Sequence, residues 1–122
     1  MNEKLDDFRQ LVVWQKSHHL VIRIYEITKN FPTEEKYGLV QQMCPAAVSI
    51  PANIAEGFKK QGIKNKLNAY NISQGSLEEL RYYLILSKDL NYLPDFQSIW
   101  DISEEVSRML IGLIKSIKSK IV

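Results

Sequence analysis

The sequence predicts an all-α protein, folded as an antiparallel up-down-up-down four-helix bundle. Apolar residues recur at steps of three and four in four separate segments, which is helical rather than strand spacing. Short stretches that contain proline or glycine separate these segments, so consecutive helices are expected to reverse direction. The chain has 122 residues, of which 45% are hydrophobic, and this suits one domain with a sizeable core. We expect residues 1–12 to form an N-terminal arm and residues 13–122 to form the bundle.

The first helix is predicted from Val13 to about Asn30, preceded by an arm in which Phe8 and Leu11 are candidate anchors. A second helix is predicted from about Thr33, where two glutamates suit the positive end of a helix, to about Phe58.

Two prolines, Pro45 and Pro51, lie inside the apolar pattern of this second helix. Each costs about 3 kcal/mol or more in a regular helix interior, because proline lacks an N–H and crowds the carbonyl four residues earlier. The apolar row keeps its phase across both prolines, which favours one bent helix. Two short helices broken near Cys44 are the alternative.

Small residues dominate the stretch from Ala46 to Gly57, so neighbouring helices can approach its backbone closely. Ile50 and Ile54 are expected to face the core. Polar side chains beside this buried face need partners. We predict a structural hydrogen-bond network that joins the second and third helices, and prefer it to an acid/base pair in a pocket. Its predicted members are Asn53, Glu56, Gln74 and Glu79.

The third helix is predicted from about Lys64 to Asn91, and the pattern favours one continuous helix with Gly75 at a close helix crossing. A capping box at Ser76 and Glu79, which would start a new helix there, is the alternative. The fourth helix opens at Pro94 or Asp95 and has the most regular apolar stripe in the chain.

Charge and composition restrict the classes of function. Basic and acidic residues nearly balance, 16 against 14, so the net charge of +2 does not by itself indicate a nucleic-acid partner. The lone cysteine favours a reducing, cytoplasmic location. The polar, acidic first residues do not resemble a signal peptide, and no apolar run approaches the roughly 18 residues of a membrane span.

We find no convincing catalytic or metal-binding motif. His18 and His19 are adjacent, so on a helix they point about 100 degrees apart and cannot share a metal ion. Cys44 has no cationic helical neighbour and is expected to be a buried or inert thiol. We therefore expect no enzyme activity, no cofactor, no metal and no small-molecule substrate.

Several sequence blocks together resemble a known family. They are the run from Leu11 to Lys16, Tyr25-x-x-Thr28-x-x-Phe31-Pro32, Glu35-x-Tyr37-Gly38-Leu39-x-x-Gln42, Ala46 to Gly57, and Gly75-Ser76-Leu77-x-Glu79-Leu80. In their order and spacing they resemble the bacterial four-helix bundle family that includes the 23S rRNA intervening-sequence proteins. The resemblance implies a small cytoplasmic helical subunit that forms a homo-oligomeric ring, typically a pentamer. Relatives that act as accessory proteins of diversity-generating retroelements bind nucleic acid and a reverse transcriptase.

One departure from the family concerns phosphate binding. Many members carry an Arg-Arg pair where this chain has Cys44-Pro45, so two cations are absent here. Basic residues remain in a first cluster, Lys59, Lys60, Lys64 and Lys66, and in a C-terminal set, Lys115, Lys118 and Lys120. We predict that the first cluster contacts RNA or DNA through its phosphates, although a simply solvated face is the competing interpretation.

Apolar surface left over by wide helical stripes is a candidate oligomer interface, with completion of a broad core as the alternative. The candidates are Trp14, Tyr82, Tyr83, Trp100 and Met109. Two functions remain: an oligomeric nucleic-acid-binding or scaffold protein, and a passenger of an intervening sequence that only assembles a stable ring.

Overall fold

The computed structural model describes residues 5–120, and this range contains four α-helices and no strand. The helices are α1 (Val12–Thr28), α2 (Leu39–Lys59), α3 (Ile63–Asp89) and α4 (Phe96–Lys118). Single 3-10 turns at Phe8–Gln10 and Thr33–Glu35 precede α1 and α2. The predicted all-α fold is confirmed. The first four residues of the predicted arm, and residues 121–122, lie outside the described residues.

The four helices form a bundle in which neighbours in sequence are neighbours in space. Each helix packs against the next, α1 also packs against α4, and α2 and α3 share the most extensive contact. In the described chain, α1 is therefore diagonal to α3, and α2 is diagonal to α4. Ile50 and Ile54 are fully buried in the core, as predicted. None of the described helices combines the length and apolarity needed to cross a membrane.

The second helix differs from its prediction at its start. It begins at Leu39, because Thr33–Glu35 forms a separate turn and Gly38 has a non-helical backbone (φ −111°, ψ −107°). The Glu35 carboxylate accepts a hydrogen bond from the Leu39 N–H at 3.1 Å, so this side chain satisfies one free donor of the helix end. From Leu39 the helix continues through Pro45 and Pro51, which rules out two separate helices broken near Cys44.

The third helix is continuous through Gly75, as preferred from the sequence, but Gly75 does not mark a close crossing. It is exposed, and a Cβ built there meets no other atom within 4 Å. The close approach lies at Gly57 instead, where a Cβ would stand 2.6 Å from Cε1 of Tyr70. Glycine at this position lets α2 pack directly against a buried tyrosine ring of α3.

Candidate nucleic-acid interface

Two lysine groups that are distant in sequence meet at one end of the bundle. The C-terminus of α2, the N-terminus of α3 and the C-terminus of α4 lie at this end, because consecutive helices run in opposite directions. Residues from both groups line one cavity of about 600 Å³: Lys59, Lys60 and Lys66 from the first cluster, and Lys120 from the C-terminal set. We call this region the basic end, formed by Lys59, Lys60, Lys64, Lys66, Lys115, Lys118 and Lys120.

Lys66 has a structural role that its sequence position did not predict. Its ammonium donates hydrogen bonds to the carbonyl oxygens of Gly57 at 3.1 Å and Phe58 at 2.7 Å, in the last turn of α2. The Gly57 carbonyl also accepts the Lys60 N–H at 3.3 Å, so Lys66 adds a second donor there and supplies the donor for Phe58, which makes it a C-terminal cap. Burial lowers the pKa of Lys66, and the nearby charge of Lys120 lowers it further. Lys66 is therefore committed to the fold and is removed from the predicted phosphate-binding set.

The remaining lysines of the first cluster are exposed, although some acidic groups lie near them. Lys60 pairs with Glu56 at 3.4 Å, and both side chains are about half exposed. The main partner of Asp7 is Arg9, whose hydrogen bonds lower the pKa of Asp7 to about 2, and the positive charge of nearby Lys59 contributes slightly to this lowering. Such exposed pairs are weak and leave the lysine charges accessible to a larger polyanion.

The predicted polar network between α2 and α3 is replaced by serine hydroxyls. Ser49 and Ser76 share a hydrogen bond of 2.8 Å between their Oγ atoms, and buried Ser73 donates to the carbonyl oxygen of Ile50 at 2.8 Å. Asn53 joins this arrangement through Ser49, to which its Nδ2 donates at 2.8 Å (carbonyl oxygen) and 3.0 Å (Oγ).

In the described part of the chain, none of the four predicted members bridges the two helices directly, since Asn53 bonds only to Ser49 on its own helix. Glu56 pairs with Lys60 on its own helix. Glu79 accepts a hydrogen bond from the hydroxyl of Tyr83, one turn later on α3, at 2.7 Å, and this bond raises the pKa of Tyr83. Gln74 is half-buried on α3. The small size of serine could have predicted which residues bridge α2 and α3. A short hydroxyl fits between two closely packed helices, where a longer amide or carboxylate side chain does not.

The five predicted interface residues fall into two groups. Trp14, Tyr83, Trp100 and Met109 are half-buried and pack against the core cluster. Other side chains also cover the two tryptophans: Trp14 stacks on His18, with ring centroids 5.0 Å apart, and the guanidinium carbon of Arg81 lies 4.3 Å from the Trp100 ring centroid. Tyr82 is different, since 58% of it is exposed on the outer face of α3.

Exposed apolar side chains form two separate patches on different sides of the bundle. The α3 patch consists of Tyr82 and Ile85, which lie about one turn apart, whereas Ile72 is exposed nearly three turns before Tyr82 and is not part of it. The α1–α2 patch consists of Ile22, Tyr25 and Val48. A groove of about 370 Å³ adjoins the second patch, and it is lined by Phe8, Trp14, His18, Val21, Val48, Pro51, Ala52 and Ala55. Because α1 and α3 are diagonal in the bundle, the exposed sides of these two helices point in different directions.

The histidines and the cysteine that could bind a metal or act as a nucleophile do not form a reactive cluster in the described part of the chain. Among residues 5–120, no group of three or more histidine, cysteine, aspartate or glutamate residues is placed to hold a metal ion. Burial raises the pKa of the Cys44 thiol, partly offset by its contact with the Thr28 hydroxyl. A raised pKa keeps a thiol protonated and poorly nucleophilic at neutral pH.

Comparison with known proteins gives the family. The profile of the family described as 23S rRNA-intervening sequence protein matches residues 9–112 of this chain. This chain belongs to that family. The matched range takes in α1, α2, α3 and most of α4, so the family relationship covers nearly the whole bundle of this intervening-sequence protein.

A solved structure agrees with this assignment. The intervening-sequence protein is similar to a protein of unknown function from the S23 ribosomal protein family of Bacteroides thetaiotaomicron. The two chains are 31% identical and superpose with a TM-score of 0.79, over 85% of this chain and 96% of the other. No curated protein matches this chain.

Proposed function

We propose that this intervening-sequence protein is a non-enzymatic, self-associating subunit that binds nucleic-acid phosphates through its basic end, without sequence preference. The convergence of two lysine groups at one end of the bundle is the observation that supports this function. Lysine is a flexible point charge that suits a phosphate backbone and reads no base edge.

The distribution of charge matters more here than its sum. A chain with a net charge of only +2 has little long-range attraction for a polyanion. Six of its 16 basic residues nevertheless belong to the basic end when the capping Lys66 is left out, whereas Lys29 and Lys36 lie near the opposite end, in the same part of the sequence as Glu34 and Glu35. The basic end therefore provides a local positive field, and several subunits in one assembly would present it several times to one strand.

Salt-dependent binding tests this function. The double variant Lys64→Gln/Lys118→Gln removes two exposed charges of the basic end, and Lys29→Gln/Lys36→Gln removes the same charge from the other end. Each lost phosphate contact reduces the slope of log Kd against log salt by about 0.9 for duplex DNA, so the first variant is expected to reduce it by about 1.8 per subunit in contact. The control variant keeps the slope of the unmodified protein.

Gel retardation and fluorescence anisotropy at rising ionic strength provide the measurement. If the basic-end variant and the control variant lose the same amount of affinity, nucleic acid binds elsewhere on the surface. No retardation even at low salt would reject nucleic-acid binding and leave assembly alone as the property of this protein.

Self-association is supported by the two apolar patches, which a solitary chain would leave in water. They lie on different sides of one subunit, so a contact between unlike patches would repeat from copy to copy. Such head-to-tail contacts close into a ring when the rotation between subunits permits. The α1–α2 groove contains small residues such as Ala52 and Ala55, and Tyr82 is the most exposed side chain of the α3 patch, so Tyr82 is the group that we expect to enter the groove.

Native mass spectrometry of Tyr82→Glu tests this contact. A charge at this exposed position leaves the core untouched but opposes burial against an apolar groove, so the variant is expected to dissociate into smaller species. Tyr37→Glu is the matched control, since Tyr37 is 79% exposed in the turn before α2, outside both patches. An unmodified protein that is monomeric at micromolar concentration would refute self-association.

A further inference from the structure

A cavity beside the basic end has a composition that lysine–phosphate contacts do not explain. It has a volume of about 690 Å³ and lies on the first turns of α3. Its lining combines half-buried Ile63 and Leu67 with exposed Lys64, Asn65, Asn68 and Asn71. All six lining residues belong to the first turns of α3, so this cavity is open to solvent along the helix, and its surface combines two apolar side chains with a few polar groups.

The three asparagines are unusual for a solvated helix face. They recur every three residues, so they follow one side of α3, yet asparagine is a poorer helix former than the lysine or glutamate that commonly occupies such positions. The Nδ2 of Asn65 donates to the carbonyl oxygen of Gln61 at 2.9 Å. Within residues 5–120, the side chains of Asn68 and Asn71 make no hydrogen bond to another residue. Both side chains are exposed, so packing and hydrogen bonding within the described fold do not require asparagine at these two positions.

Amide side chains suit a nucleobase better than a phosphate. Each amide offers both a donor and an acceptor without charge, which matches the mixed donor and acceptor edge of a base. The apolar side chains of Ile63 and Leu67 provide a surface for the face of the ring. A base within a duplex is stacked on both faces and paired along its edge, so an unpaired base is the group that this cavity fits.

We propose that the cavity on α3 binds an unpaired nucleobase of a single-stranded nucleic acid. The base lies against Ile63 and Leu67 with its edge towards Asn68 and Asn71, while Lys64 and the rest of the basic end contact the adjoining phosphates. This inference rests on the proposed nucleic-acid function and extends it, because it predicts that single strands are preferred over duplex.

Fluorescence anisotropy with labelled oligouridylate, oligothymidylate and a DNA duplex of equal length tests this site. The unmodified protein is expected to bind one or both single strands about tenfold more tightly than the duplex. The variant Asn68→Ala/Asn71→Ala should lose this preference, with duplex binding and salt dependence unchanged. Alanine is a better helix former than asparagine, so this variant should fold at least as stably as the unmodified protein.

The control variant is Gln41→Ala/Gln42→Ala, which removes two exposed amides near the opposite end of the bundle and should keep the preference. Equal affinity for single strands and duplex, or an unchanged preference in the asparagine variant, would overturn the base site. If Lys64→Gln/Lys118→Gln still weakens binding in that case, the phosphate-binding function stands. Failure of the unmodified protein to bind any of the three probes would refute both proposals.

Discussion

Replacement of Gly57 by alanine is expected to destabilise this protein, although alanine normally stabilises a helix. A Cβ at this position would lie 2.6 Å from Cε1 and 3.0 Å from Cδ1 of Tyr70, and 3.1 Å from the Cβ of Ala69. Tyr70 is only 2% exposed, so its ring has no open space into which it can move. Either the ring or the α2–α3 spacing must therefore change.

Two opposing effects determine the size of the loss. Overpacking a well-packed core costs about 1–3 kcal/mol, and three close contacts with buried atoms place this site near the upper value. The gain from replacing a helical glycine by alanine is about 1 kcal/mol. We expect a net decrease of about 2 kcal/mol in the free energy of unfolding. For a domain of this size, that corresponds to a fall in Tm of about 8 °C.

Gly112→Ala is the matched control. Gly112 also lies inside a helix, but it is exposed, and a Cβ built there meets no atom within 4 Å. Only the helix-propensity gain remains, so this variant should be more stable by about 1 kcal/mol. Urea unfolding followed by circular dichroism, at one fixed protein concentration, measures both variants.

A double-mutant cycle isolates the contact with the ring. Tyr70→Leu removes the ring atoms near Gly57, so Gly57→Ala should cost much less in that background, with a coupling energy of about 1–2 kcal/mol. A Gly57→Ala variant as stable as Gly112→Ala would refute the close crossing of α2 and α3.

Three further changes test individual contacts. Lys66→Met should reduce the free energy of unfolding by about 1 kcal/mol in a urea titration, because the Phe58 carbonyl loses its donor and the Gly57 carbonyl keeps only the Lys60 N–H, and an unchanged stability would argue against the cap. Ser73→Ala should cost about 1 kcal/mol through loss of the buried bond to Ile50, and an α2–α3 contact held by packing alone would instead leave the urea midpoint unchanged. Tyr92 donates to the Glu35 carboxylate at 2.9 Å, which raises its pKa above that of the unfolded chain. This stabilisation is complete below about pH 10 and is lost as the pH rises through the pKa of Tyr92 in the folded protein. In an alkaline titration, the free energy of unfolding of Tyr92→Phe should therefore fall less steeply with pH than that of the unmodified protein. Parallel curves for the two proteins would contradict the bond.

The local spacing of apolar residues was enough to predict which segments form helices. The spacing of Ile50 and Ile54 placed both in the core, and the unbroken phase across Pro45 and Pro51 correctly favoured one helix. Helix ends were less accessible, because they depend on single backbone conformations. The turn at Gly38 shifted the start of α2 from Thr33 to Leu39.

The sequence by itself determined four amphipathic helices and the order in which they pack, because apolar periodicity and short connections act along the chain. Only the tertiary structure decided that Lys66 caps α2 and that serines rather than Glu56 and Glu79 join α2 to α3. These outcomes depend on how far one helix is shifted and rotated against its neighbour. A change of one residue in that register moves a polar side chain from a partner into water, and the apolar pattern of either helix alone does not specify it.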